Sequence, residues 1–197
     1  MSNFQAECEI RSLLVRERYY RDTAQWAKLR DAWHPDASKT RIKISWYEGD
    51  IDGFITGSKA MVKGGTSAFH TISPIEIHIN GDKALSESLG SIQIRVSLDG
   101  KEYDCISHAR FISRLLNVGS RWVLASLEVI YDRDSLVPTA PFGGQAIEMD
   151  VSGHRKSYKY LSWLLGMNGQ TIAQDLPGTD RPEAVEKVMA GNYAWLE

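Results

Sequence analysis

Cysteine is scarce: Cys8 and Cys105 are the two cysteines in 197 residues, and neither belongs to a CxxC pair. That excludes a disulfide framework and gives no zinc-ligand spacing, so both read as small buried hydrophobes. Long apolar runs are lacking too. No stretch approaches the ~18 residues of a membrane span, and Met1 to Glu9 lacks the basic-then-apolar form of a signal peptide. A cytoplasmic protein without a membrane partner is expected. Charge of one sign does not dominate: the formal net charge is -2, and Lys and Arg never gather into the basic run that a phosphate backbone attracts. Nucleic acid is not an expected partner. Glycine-rich phosphate loops, nucleophile elbows and metal-ligand clusters are also missing.

What is present is enough apolar material for a core, at 43% hydrophobic residues. Ile10, Leu13 and Leu14 share one helical stripe that Tyr20 or Arg21 extends, and Trp26, Leu29 and Trp33 recur at helical spacing. A first helix is expected over about Phe4 to Arg21. A second begins at Asp22 or Thr23, where Asp22 and Gln25 resemble a capping box, and Pro35 ends it. Arg41 to Trp46 alternates as a half-buried strand. Glu48 to Gly57 reads as a loop, with Ser58 as the N-cap of a short helix stopped by Gly64-Gly65.

From Ser67 onward long alternating runs are separated by turn residues: Ala68 to Ile79, Asn80-Gly81, Lys83 to Leu98, Asp99-Gly100, Glu102 to Leu116, then Arg121 to Tyr131. Hairpin follows hairpin, which predicts an antiparallel sheet. Helices followed by such a sheet give an α+β class, with the sheet bent around the helices and a pocket between them. After Asp132, Pro138, Pro141, Gly143 and Gly144 mark an exposed linker. Two units are therefore expected: residues 1–132 as a cone-shaped domain, and 133–197 as linker plus a helical extension that packs on the cone, covers its mouth or meets a second subunit.

The run Asp22-xxx-Trp26-xx-Leu29-Arg30, then Phe69-His70 ahead of Gly81-Asp82-x-Ala84, then His108 to Arg114 and Trp122, resembles the SnoaL-like branch of the nuclear-transport-factor-2-like superfamily. Its spacing is most similar to scytalone dehydratase and hexachlorocyclohexane dehydrochlorinase, over roughly Glu9 to Asp132. The resemblance implies a cystatin-like cone and a catalytic pair, Asp22 and His70. An imidazole whose Nδ1–H is held by a carboxylate keeps one tautomer, presents Nε2, and is stabilised once it takes a proton. Such a pair removes a carbon-bound proton with no cofactor and no metal.

The residues alone leave two roles for Asp22, helix cap or acid–base partner. They also leave two faces for His108 and Arg110: inward, where they could polarise a substrate oxygen, or outward. Tyr19, Tyr20, Trp26, Trp46 and Tyr47 are candidates to line an aromatic pocket. The chain departs from its relatives where scytalone dehydratase has a Tyr (here Arg21) and a second pocket His (about Ser88), and where the dehydrochlorinase has a Lys (near Glu17). The expected function is a cofactor-independent lyase of dehydratase type on a hydrophobic or aromatic small molecule. Retro-aldol cleavage, isomerisation and non-catalytic binding stay open. A homodimer or larger homo-oligomer is expected, because a single curved sheet has an apolar outer face to cover.

Overall fold

A computed structural model describes residues 3–140 and 149–197. The linker expected after Asp132 does not begin there: the last strand runs on to Pro138, which pairs with Tyr103, and Pro141, Gly143 and Gly144 lie outside the described residues. Helix α1 spans Asn3–Asp22 and α2 spans Trp26–Asp31. Along α1 the buried stripe runs Ala6, Ile10, Leu14, then Glu17, Arg18 and Arg21, so it starts apolar and ends charged. The helix closes with a Schellman pattern: Gln25 N donates to Tyr20 O at 2.8 Å and Ala24 N to Arg21 O at 3.3 Å, with Ala24 at φ 56°. Asp22 is therefore the last residue of α1. The expected capping box is not formed, since the N-cap of α2 is Gln25 and no side chain caps it.

The region expected to be a loop before Ser58 holds strand β2 (Tyr47–Gly49) and the start of α3 (Ile51–Lys63). Asp50 is the cap, accepting from Gly53 N at 2.8 Å. Gly53 and Gly57, which look like loop residues in the sequence, provide room instead. A Cβ at Gly53 would collide with Tyr47 Oη, and one at Gly57 with the Trp46 ring. Both aromatics can thus lie flat against α3.

Six strands form one sheet in the order β2-β1-β6-β5-β4-β3. The remaining strands are β1 (Arg41–Ile44), β3 (Ala68–Asn80), β4 (Lys83–Leu98), β5 (Lys101–Val118) and β6 (Arg121–Pro138). Pairing is antiparallel except between β1 and β6, which run parallel, so the sheet is mixed. The β3–β4 turn is Gly81-Asp82, with Asn80 paired to Lys83 and Gly81 at φ 59°. Glycine at the first central position is the type II′ choice. At the next turn Asp99 and Gly100 both have positive φ, 50° and 73°. Register shifts between Pro74 and Glu76 on β3, and opposite His108/Ala109 and Arg114/Leu115, bend the long strands.

The main core lies on the inner face, between the sheet and α1 to α3. Beyond β6, helix α4 (Lys159–Met167) adds Leu161, Leu164 and Leu165 to that core. Each is at most 2% exposed, which contributes about 2 kcal/mol apiece. Asp134 on β6 accepts from Leu161 N at 2.8 Å and anchors the start of α4. Backbone bonds from Tyr131 N to Pro177 O (3.0 Å) and Thr179 N to Tyr131 O (2.9 Å) tie down the following segment. Helix α5 (Pro182–Leu196) lies on the opposite face, where Val185, Val188, Met189 and Leu196 pack on Leu85, Ile112 and Ile130.

Candidate active site

The end of α1 meets the start of β3. Asp22 Oδ1 lies 2.7 Å from His70 Nδ1, and Asp22 Oδ2 accepts from the His70 backbone N–H at 2.7 Å. One carboxylate thus fixes both the strand and the ring. Each side chain is 8% exposed. Burial pushes the His70 pKa down, and Arg18 and Arg21 push the same way, outweighing the hydrogen bond and charge of Asp22. His70 is therefore neutral at ordinary pH, with its proton on Nδ1 facing Asp22. Its Nε2 has no hydrogen-bond partner among the described residues. For Asp22, burial acts to raise the pKa. The His70 ring, the His70 amide and Arg21 outweigh it and hold the carboxyl below the usual carboxylate range.

His70 lines a cavity between sheet and helices, with Arg18 and Arg21 from α1, Trp46, Phe54 and Met61 from the β2–α3 region, Phe111 and Val129 from the sheet, and Leu161 and Leu165 from α4. The cavity is small, about 40 Å³. Walls are apolar apart from a few groups. Tyr131 Oη accepts from Ser45 N at 3.0 Å, and burial raises its pKa to about 12, so it stays a neutral phenol. Arg18 is gripped by Glu17 through both carboxylate oxygens, Trp33 Nε1 donates to Glu17 Oε1 at 3.0 Å, and the Arg18 guanidinium lies 5.7 Å from the centre of the Phe54 ring.

Of the expected aromatic lining, only Trp46 reaches the cavity. Tyr47 stands behind it, 5.7 Å away between ring centres, and its hydroxyl donates to Asp50 O at 2.8 Å. Tyr19 is 57% exposed. Tyr20 lines an open depression on the other side of α1, and Trp26 packs at the margin of the core. Helix geometry is the reason: Arg18, Arg21 and Asp22 stand at i, i+3 and i+4 on one face, which turns Tyr19 and Tyr20 away. His108 and Arg110 are on the outer face. Along β5 the odd positions Cys105, Ala109 and Phe111 point inward, so the even ones cannot. Arg110 pairs there with Glu87 at 3.3 Å.

Arg18 and Tyr131 are not among the residues the sequence offers for the site, and Glu17 enters there only as a departure from the dehydrochlorinase. Glu17 and Arg18 carry a signal: charged residues at spacings of seven and eight from Ile10, on the stripe that α1 buries. Of the places open to the C-terminal extension, α4 takes the cone, where Leu161 and Leu165 line the cavity.

Helices packed in the hollow of a curved sheet form the cystatin-like fold. Within it the chain belongs to the SnoaL-like domain family, matched over residues 3–128. A PEP2-like protein of Fusarium vanettenii is 29% identical over 168 residues, covering 82% of this chain and 70% of that protein. Among solved structures, a putative scytalone dehydratase from Novosphingobium aromaticivorans superposes with TM-score 0.55 at 14% identity, covering 74% of this chain and 97% of the other. A type 2 hexachlorocyclohexane dehydrochlorinase gives TM-score 0.55 at 12% identity, with 73% and 97% covered. At these identities the two structures are alike in fold.

Proposed function

We propose that this protein is a cofactor-independent lyase in which Asp22 and His70 carry out a dehydratase-type elimination on a small hydrophobic or aromatic molecule. The observation that carries the reading is the free Nε2 of a buried His70 whose other nitrogen is held at 2.7 Å by Asp22. Nε2 takes the proton from a carbon beside an electron-withdrawing group. The freed electron pair forms the new double bond, hydroxide leaves the neighbouring carbon, and the imidazolium returns the proton to it as water. Asp22 stabilises the imidazolium between those steps. The apolar walls hold the substrate and exclude bulk water, which strengthens every charge interaction inside.

A second reading, a non-catalytic binding module, takes its support from the small cavity, about 40 Å³, that the side chains leave. The experiment that separates the two is turnover of hydrophobic β-hydroxy and β-halo compounds, followed by the absorbance of the conjugated product. A lyase gives product that His70→Ala does not. A binding module gives a thermal shift and no product with either protein. We also propose that the protein self-associates through the outer-face region that α5 leaves open, where Phe69 and Leu89 are 60% and 53% exposed. A monomer in sedimentation equilibrium at micromolar concentration would end that proposal.

A further inference from the structure

Two arginines line the cavity, and their situations differ. Arg18 is neutralised by the two-point grip of Glu17. Arg21 has a 4% exposed side chain, yet its only hydrogen bonds among the described residues are long ones from Nη1, to Asp22 Oδ1 at 3.5 Å and Ala68 O at 3.4 Å. Asp22 is already committed to His70 through both oxygens. Nε and Nη2 of Arg21 make no hydrogen bond among the described residues, and Arg21 lines the cavity. A guanidinium has five donors and cannot shed its charge, so donors that the protein leaves unpaired favour a ligand that brings an acceptor. A hydrocarbon or haloalkane ligand supplies no acceptor of use and leaves those donors unpaired.

We propose that Arg21 is a substrate-binding residue that receives an oxygen conjugated to the carbon from which His70 takes its proton, so the substrate is a hydrophobic carbonyl compound passing through an enolate. This deepens the lyase reading and rests on it. When Nε2 removes the α-proton, the electron pair moves onto the carbonyl oxygen. The negative charge develops beside the guanidinium, and expulsion of the β-leaving group returns the pair to carbon. Arg21 adjoins Asp22 in sequence and lines the same cavity as His70. Base and oxyanion donor are thereby held by one helix turn and the strand it binds, a preorganised arrangement in a water-poor site.

The test uses 2-naphthol, whose phenolate mimics an enolate, against naphthalene, matched in shape and lacking the oxygen. Fluorescence titration of the wild-type protein is expected to show 2-naphthol binding at least tenfold more tightly. Ultraviolet spectra are expected to show bound 2-naphthol ionising at lower pH than free 2-naphthol. In Arg21→Met both differences vanish while naphthalene binding is kept. Arg21→Lys, which retains charge without the fork, falls between, and serves should the Met variant not fold by circular dichroism. Equal affinity of the two ligands for the wild type, including binding of neither, overturns the proposal. So does a naphthol preference that survives in Arg21→Met or is unchanged in Arg21→Lys. His70→Ala separates this from the lyase reading, because it should keep the naphthol preference. A preserved Arg21-dependent preference without turnover of any carbonyl compound would defeat the lyase reading alone.

Discussion

The two faces of the sheet each carry a pair of ionisable side chains, and burial sets them apart. On the inner face Asp22 and His70 are 8% exposed and meet at 2.7 Å. On the outer face Arg110 and Glu87 are 35% and 18% exposed and meet at 3.3 Å. Water can replace either partner of the outer pair, so such a contact contributes about 0–1 kcal/mol. Asp22 is harder to replace: without it the His70 amide, the His70 ring N–H and Arg21 all lose an acceptor in a site largely shielded from solvent. Depth within the cone, and not the presence of ionisable residues, is what sets the inner pair apart as a candidate site and leaves the other a surface contact.

That contrast can be broken most sharply by activity. On a turned-over substrate, His70→Ala removes the base, and Asp22→Asn keeps the shape but withdraws the charge that stabilises imidazolium. A loss of about 10⁴ in kcat is expected for Asp22→Asn, by analogy with the serine protease triad. Arg110→Met should leave kcat unchanged, and steady-state kinetics on the three variants checks the contrast. In stability, Asp22→Ala is expected to cost about 3 kcal/mol in urea unfolding, since it strands several buried donors at once. Leu165→Ala, which removes a 2% exposed wall of the cavity, should cost about 2–3 kcal/mol, because the adjoining void already limits what the site loses. Arg110→Met should change stability by less than about 1 kcal/mol. A cost from Arg110→Met equal to that of Asp22→Ala would erase the distinction between the faces.

Acid sharpens the same comparison through linkage. The folded-state pKa values of His70 and Asp22 both lie below their ordinary values of 6.5 and 3.8. Each therefore contributes stability that is fully present above its ordinary value and is lost as pH falls toward the folded one. Wild-type stability should decline first below about pH 6.5, from His70. His70→Gln should lack that first decline, as unfolding curves at successive pH values would show.

The sequence made the outer architecture readable because turn chemistry is local. Asp99-Gly100 and the glycine after Asn80 announce hairpins from a few residues. Position 50 was harder: the helix it caps contains Gly53 and Gly57, whose purpose is visible only when Trp46 and Tyr47 are seen pressed against them. The parallel β1–β6 pairing joins segments more than eighty residues apart and leaves no local trace. At the site, Asp22 and His70 could be named because a family pattern links them. The aromatic lining is narrower than the sequence suggests, because nearness to the cavity in the fold does not say which way a ring points. The helical period places Arg18 and Arg21 there instead, and turns Tyr19 and Tyr20 outward.

The central claim is that Asp22 holds a buried, neutral His70 with Nε2 free, and it can be tested without a substrate. Nitrogen-15 NMR of the His70 ring across a pH titration reads the tautomer and the pKa together. The account predicts a proton on Nδ1, titration below the ordinary 6.5, and a further drop in Asp22→Asn, because Asp22 is the partner that raises the value. A His70 that titrates at about 6.5, carries its proton on Nε2, or is unmoved by Asp22→Asn would contradict it.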